Sequence, residues 1–140
     1  MAIVDVRIDD RLIHGQVVSY WIPFNKVNKI LIVDEKIAKD QFRKTALKFG
    51  TPKNVKLSFY DPKTCADKLN RNLDKGSNVM LLANNPNSLL ELYKEGYKFE
   101  KITVGNISPE KGAEYHIKKT LYLTKEDLES FKELINYGIE

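Results

Sequence analysis

The sequence predicts an α/β fold of three layers, in which an open, mainly parallel sheet is covered by helices on both faces. Short apolar runs, of the kind that parallel sheets bury on both sides, alternate along the chain with segments of helical period. Right-handed crossovers through such helices produce a parallel sheet. The 140 residues suit a single domain, residues 1–140, which can fold without disulfides or a structural metal.

The first two strands are each followed by a helix. A β-rich run at 2–9 leads into a helix expected at 15–24. The apolar run 29–34 is the second strand, and the helix after it is expected to end at Gly50. This second helix should bury one face, formed by Ala38, Phe42, Ala46 and Phe49.

The next two strand–helix units carry clear capping residues. A strand at 55–60 is followed by Asp61, the expected cap of a helix with proline in its first turn. A strand at 78–83 is followed by Asn85 in the same role. The apolar residues on the inner faces of these helices are Cys65, Leu69 and Leu73, and then Leu89, Leu92 and Tyr93.

The C-terminal region is expected to hold a fifth strand at 101–105, a less regular stretch and a short strand at 120–123. Thr124 and Asp127 form a predicted capping box for a last helix. The apolar residues of that helix are Leu128, Phe131, Leu134 and Ile135.

The composition excludes several classes of function. Hydrophobic residues make up 42% and charged residues 30% of the chain, as in folded globular proteins. The net charge of +4 comes from scattered lysines without a dense basic run, so we predict no nucleic-acid partner. The sequence contains neither a run of about 20 apolar residues nor a signal-peptide profile, which predicts a cytoplasmic chain. Cys65 is expected in the core, in a reducing compartment.

The loop between the first strand and the first helix carries the candidate chemistry. Ligands of open α/β sheets gather at the carboxyl ends of strands, and a helix N-terminus favours anions such as phosphoryl groups. His14 is the candidate catalytic residue, because a neutral imidazole is a competent nucleophile near pH 7. Arg11 disfavours the protonated imidazole, matches phosphate geometry and can neutralise charge in the transition state.

Neighbouring residues of this loop have supporting roles. Gly15 allows the backbone to approach a phosphoryl group closely, and Gln16 offers an amide donor. Asp9 or Asp10 can orient Arg11 or the second ring nitrogen of His14, and Asp10 is the candidate orienting residue. From the residues alone, a histidine that is merely hydrogen-bonded to its charged neighbours remains an alternative.

The same loop resembles the signature of a known family. Residues 7–17, RIDDRLIHGQV, followed by Trp21, are similar to the signature of the IIB subunits of mannose/fructose/sorbose-type sugar phosphotransferase systems (PTS). Weaker similarities extend over essentially the whole chain, at residues 32–35, 43–45, 80–82, 85–86, 104–107 and 121–128.

The resemblance implies a phosphoryl carrier in sugar uptake. The family's histidine, matched by His14, accepts a phosphoryl group from the phosphohistidine of a IIA domain and donates it to a sugar held by the membrane subunits IIC and IID. The family's phosphate-stabilising arginine matches Arg11. The implied partners are therefore IIA, IIC, IID and the sugar, with the cytoplasmic chain peripherally associated with the membrane through IIC and IID. No cofactor is implied.

The chain departs from many members of this family at two places. After the fifth strand it has residues 105–108, GNIS, where many members have a glycine pair followed by Met-Arg. In place of a second loop cation, Asn84 or Asn106 is expected at the rim of the site. Relatives usually continue past the position of Glu140, so either a shorter sheet edge or a truncated chain is expected.

Other interpretations stay open at this point. We predict no metal site, and His116 is interpreted as a surface or loop residue, because zinc normally needs three or four ligands. Trp21 is expected to pack in the core or at its rim. The loop could instead serve a non-catalytic regulatory or adaptor module, or an anion-binding enzyme with His14 as general acid or base. The sugar, the phosphorylated nitrogen and the oligomeric state, a homodimer included, are left open.

Overall fold

Five parallel strands form the central sheet of the computed structural model, which describes residues 2–13, 17–71, 77–105, 113–118 and 121–139. The strand order is β3-β2-β4-β1-β5. The strands are β1 (Ala2–Ile8), β2 (Lys29–Val33), β3 (Lys56–Tyr60), β4 (Asn78–Ala83) and β5 (Thr103–Val104). A separate antiparallel pair consists of β6 (Ala113–Lys118) and β7 (Leu121–Thr124).

The helices follow the strands in the expected alternation. A π-helical turn at Val17–Trp21 and the short α1 (Ile22–Phe24) follow β1, and α2 (Glu35–Ala38) and α3 (Gln41–Phe49) follow β2. The remaining helices are α4 (Pro62–Asn70), α5 (Pro86–Lys94) and α6 (Lys125–Asn136). The predicted caps are confirmed: Asp61, Asn85 and Thr124 each accept a hydrogen bond from a backbone N–H of the first turn.

Two apolar layers, one on each face of the sheet, confirm the predicted three-layer architecture. Alternate residues of β2 and β4 point to opposite faces and are buried on both. The first layer packs α4, α5 and α6 on the sheet through residues such as Cys65, Leu69, Leu89, Leu92 and Leu134. The second layer holds Leu12, Ile22, Val27 and Ile37, with Trp21 and Leu47 packed against it.

The predicted buried face of α3 is wrong. Phe42 is 86% and Phe49 94% exposed, and Ala46 is exposed as well. Instead, Leu47 packs against the second apolar layer, and the Nζ atoms of Lys44 and Lys48 lie over the ring of Phe59. The helical period correctly placed these apolar residues on one stripe, but that stripe faces solvent and not the sheet.

Two further expectations need correction. The stretch before β7 was expected to be irregular, yet residues 113–118 form strand β6, which pairs with β7 as an antiparallel hairpin. His116 therefore lies in a strand and not in a loop, and the alternative interpretation of His116 as a surface residue stays a prediction. The helix expected at 15–24 is a π-helical turn followed by one short α-helical turn at the described positions from residue 17 onward, with Pro23 inside it. Leu73 lies outside the described residues.

Candidate phosphoryl-transfer site

The sheet topology locates one crevice at the carboxyl ends of β1 and β4. These strands are neighbours, but the chain leaves β1 toward β2 on one side and leaves β4 toward β5 on the other. The connections therefore cover opposite faces of the sheet, and the gap between them is the place where open α/β sheets bind ligands. The loops that open into it begin at Asp9 and Asn84.

The strand register brings the first residue after each of four strands to one level. Ile8 pairs with Ala83 on one side and with Val104 on the other, and Ile32 pairs with Leu82. Four polar or small residues therefore follow neighbouring strands side by side, namely Asp9, Asn84, Asp34 and Gly105.

The chain turns sharply as it leaves β1. The N–H of Asp9 donates to the carbonyl of Ala83 (2.9 Å), and the N–H of Leu12 donates back to the carbonyl of Asp9 (3.0 Å). Leu12 adopts a left-handed backbone conformation with φ of 57°, while its side chain is fully buried in the second apolar layer. A buried leucine in this conformation indicates that its packing determines the path of the loop toward residue 14.

The carboxylate of Asp9 holds Arg11 in this turn. Its Oδ1 accepts hydrogen bonds from the backbone N–H (3.0 Å) and from Nε (3.4 Å) of Arg11. The Asp9 side chain is 5% exposed, whereas that of Arg11 is 49% exposed. A buried carboxylate thus orients a guanidinium whose outer part reaches solvent at the mouth of the crevice, which suits the binding of a phosphoryl group.

Gly105 leaves the space that the Asp9 carboxylate occupies. The N–H of Gly105 donates to the carbonyl of Ile8 (2.7 Å) and so continues the pairing of β5 with β1. A β-carbon on Gly105 would lie 2.7 Å from Oδ2 of Asp9 and 3.4 Å from its Cγ. Because carbon and oxygen atoms do not approach so closely, any side chain at this position would displace the carboxylate.

A hydrogen-bonded network forms the other wall of the crevice. Oδ1 of Asp34 accepts from Oγ of Ser88 (2.9 Å) and from Nδ2 of Asn85 (3.2 Å), while Oδ2 caps α2. Nδ2 of Asn85 also donates to Oδ1 of Asn84 (2.6 Å). These contacts fix Asn84, half-buried, at the edge of the crevice.

The structure places some of the predicted site residues and leaves others outside the described part. Arg11 and Asn84 lie at the same sheet edge, and the half-buried Asp10 lies between Asp9 and Arg11. Its role in orienting the site stays a prediction. His14, Gly15, Gln16 and Asn106 lie outside the described residues.

The sequence left the role of one site residue undecided and gave no prediction for two others. Asp9 contacts Arg11 through two hydrogen bonds, a role that the sequence assigned to either Asp9 or Asp10. Asp34 and Ser88 were not predicted at all, although an aspartate directly after the apolar run of β2 is the signal of a helix cap at a strand end.

A buried ion pair lies on β1 behind the turn. Nη1 of Arg7 contacts Oδ2 of Asp5 at 3.1 Å, with the two side chains 6% and 10% exposed. The Arg7 guanidinium carbon lies 4.1 Å from the centre of the Trp21 ring. The expectation that Trp21 packs at the rim of the core is therefore confirmed.

No group of three or more His, Cys, Asp or Glu side chains among the described residues could hold a metal ion, and the expectation of no metal stays a prediction. None of the described helices has the length and apolar character needed to cross a membrane.

Comparisons with known proteins agree with this geometry. Residues 3–140 match the sequence profile of the family described as the PTS system sorbose subfamily IIB component. The PTS system sorbose-specific EIIB component of Lacticaseibacillus casei is 33% identical over 140 residues, which are the whole of this chain and 85% of that protein. The PTS system mannose-specific EIIAB component of Escherichia coli (strain K12) is 34% identical over 140 residues, 100% of this chain and 43% of that protein.

The fold comparison is equally extensive. A solved structure described as a phosphoenolpyruvate-dependent phosphotransferase system protein superposes with a TM-score of 0.93 at 33% identity. The superposition covers 100% of this chain and 86% of the other.

Proposed function

The chain belongs to the sorbose subfamily of IIB components of sugar phosphotransferase systems, and we propose that it is the phosphoryl carrier between a IIA domain and a sugar, with His14 as the carrier residue. The observation that supports this proposal most is the half-exposed Arg11 guanidinium, held by the buried Asp9 at the switch point of the sheet, three residues before His14.

In the first step, a ring nitrogen of neutral His14 attacks the phosphorus of the phosphohistidine on IIA. The nitrogen–phosphorus bond of the donor breaks as the new one forms, and the donor imidazole leaves with the bonding electron pair. In the second step, a sugar hydroxyl attacks the phosphorus, the bond to His14 breaks, and the hydroxyl proton is lost to solvent or a base. The products are a sugar phosphate and neutral His14.

Arg11 has the physical properties that both steps need. Phosphoryl transfer depends mainly on positioning and on neutralising the charge of the equatorial oxygens, and a planar guanidinium matches those oxygens. Because Asp9 binds Arg11 through the backbone N–H and Nε, the terminal part of the guanidinium is directed by a buried anchor. Gly15 and Gln16 supply backbone space and an amide donor, and Asn84 lies at the rim of the site.

The test is phosphorylation of the purified chain. Phosphoenolpyruvate labelled in its phosphoryl group is mixed with the general phosphotransfer proteins, a IIA domain of a mannose-type system and this chain. We expect one acid-labile phosphate per chain, lost in His14→Ala and retained in His116→Ala, which removes the other histidine. Arg11→Gln should slow labelling by about 10²-fold or more, as the loss of one charged contact in a transition state does.

Two results would contradict the proposal. A wild-type chain that stays unlabelled with every IIA donor of this type would exclude the carrier role. Labelling of His14 without transfer to sugar, in membranes that contain the cognate IIC and IID, would favour a regulatory or adaptor module. In the proposed role the chain is cytoplasmic, and its binding to IIC and IID associates it peripherally with the membrane.

A further inference from the structure

Helix α3 turns its apolar stripe away from the sheet that it covers. Its apolar residues Phe42, Ala46 and Phe49 recur at helical spacing and form one stripe, which we term the α3 outer face. All three are exposed, and α3 has no buried residue. The side facing the sheet instead carries Lys44 and Lys48, whose Nζ atoms each lie 5.9 Å from the centre of the Phe59 ring.

This arrangement does not serve folding. Rotation of α3 by half a turn would bury two phenylalanine rings, each with about 150–250 Å² of surface, and expose the two lysines. The structure instead packs Leu47 against the second apolar layer, holds the ammonium groups of two lysines over Phe59 and leaves the two phenylalanine rings in solvent. A contiguous exposed patch of this size marks a binding surface more often than chance.

The C-terminal end of α3, which carries Phe49, lies close to Ile13 at the start of the proposed phosphoryl-transfer loop. A β-carbon on Gly50, the residue that ends α3, would lie 3.8 Å from Cγ2 of Ile13. Ile13 directly precedes His14, so a protein that covers Phe49 would lie close to the residue before His14. Since each partner of a stable protein complex buries about 800 Å², the two rings, at about 150–250 Å² each, supply about 40–60% of one side.

The charges around the α3 outer face identify the kind of occupant. Every charged side chain of α3 is basic, namely Arg43, Lys44 and Lys48, and the whole chain carries a net charge of +4. A second copy of this chain would bring the same basic residues together across an isologous interface, which is repulsive. Cytoplasmic loops of membrane proteins are also enriched in Lys and Arg, so a membrane subunit would meet the same repulsion.

We propose that the α3 outer face is the docking surface for the phosphohistidine-bearing donor protein, and that this donor presents an apolar patch with an acidic rim. The inference rests on the proposed function for the identity of the donor. Docking through Phe42 and Phe49 holds the donor beside Ile13 and presents its phosphohistidine to the loop that follows. The two rings contribute to the affinity for the donor and not to the chemical step.

The test compares Phe42→Ser/Phe49→Ser with Ile135→Ser. Ile135 is a matched control, since it is 66% exposed on α6, which covers the opposite face of the sheet. The initial rate of labelling is measured against the concentration of a phosphorylated IIA domain. We expect the double variant to raise KM for the donor about 10- to 100-fold with kcat changed less than about twofold, and Ile135→Ser to leave both unchanged. The urea midpoint of the double variant should equal that of the wild type.

A binding measurement separates this inference from the proposed function. Unphosphorylated IIA domain is titrated into each variant by calorimetry. If the wild type binds the donor, the double variant does not, and no chain is labelled, then the docking surface stands and the carrier role fails. An unchanged KM and unchanged binding in the double variant would overturn the docking surface. If the double variant lost only the transfer to sugar, the surface would instead bind a membrane subunit. If the double variant dissociated a dimer of this chain, the surface would instead bind a second copy.

Discussion

Gly105 is the position at which the geometry of the site can be tested most directly. In Gly105→Ala, the new methyl group lies 2.7 Å from Oδ2 of Asp9, whereas ordinary contact begins at 3.4 Å. The carboxylate must therefore retreat by about 0.7 Å, the difference of the two distances. The neighbouring atoms cannot all give way, because the carbonyl of Ile8, also 3.4 Å from the methyl, belongs to the backbone of the sheet.

The retreat of Asp9 affects its hold on Arg11. A shift of this size lengthens the 3.0 Å bond from its backbone N–H to at most about 3.7 Å, which is beyond hydrogen-bonding distance. We expect the free energy of unfolding to fall by about 1–3 kcal/mol, the usual cost of forcing a methyl group into a packed site. Misplacement of a guanidinium by this amount should slow labelling of His14 by about 10- to 100-fold.

Gly50→Ala is the matched control for this substitution. Its nearest atoms would be 3.8 Å away, and the backbone φ of −83° suits alanine. Urea unfolding and the initial rate of phosphorylation are measured for both variants and the wild type. A Gly105→Ala chain that is as stable and as rapidly labelled as Gly50→Ala would refute the conclusion that Asp9 is confined between Gly105 and Arg11.

Two further predictions concern stability. Asp5→Ala should lower the free energy of unfolding by about 3–5 kcal/mol, because it leaves the buried Arg7 charge without its carboxylate. The double variant Asp5→Leu/Arg7→Met should be less destabilised, because it removes both charges. A double variant that is less stable in urea than Asp5→Ala would contradict this account. Asp61→Ala should cost about 1 kcal/mol at pH 7, because the N-terminal cap of α4 is lost. The hydrogen bond from the backbone N–H of Thr64 lowers the pKa of Asp61 below its ordinary 3.8, so this stabilisation is present above pH 3.8 and is lost as the pH falls through the folded-state pKa. The difference between wild type and Asp61→Ala should therefore shrink in acid, and a constant difference down to pH 2 would exclude the linkage.

Local rules predicted the parts of the fold that local contacts determine. Asp61, Asn85 and Thr124 were expected as caps because a cap bonds to N–H groups only two or three residues away. The buried strands β2 and β4 were likewise evident from their uninterrupted apolar runs, since both faces of a central parallel strand are covered. The chain order of these elements then left few topologies available.

The rotation of α3 about its axis could not be predicted in the same way. Helical spacing shows that Phe42, Ala46 and Phe49 share a face, but it does not show what that face meets. The prediction assumed that every apolar stripe turns toward the sheet, an assumption that holds only when the chain itself supplies all the partners of the helix. The exposed rings and the lysines over Phe59 show where that assumption failed.

The burial of Asp9 against Arg11 depended on information that lies far away in the sequence. Both residues are next to the end of β1, and either side chain could reach Arg11 from its position in the chain. Burial of Asp9 requires a neighbour without a side chain, and that neighbour is Gly105, contributed by the strand that pairs with β1 nearly one hundred residues later. The family resemblance places the departure of this chain from many members at the very next position, Asn106, so the glycine on which the Asp9–Arg11 contact depends is retained. A change in this second loop therefore leaves the orientation of Arg11 unaltered, because that orientation is determined by the sheet and not by the loop.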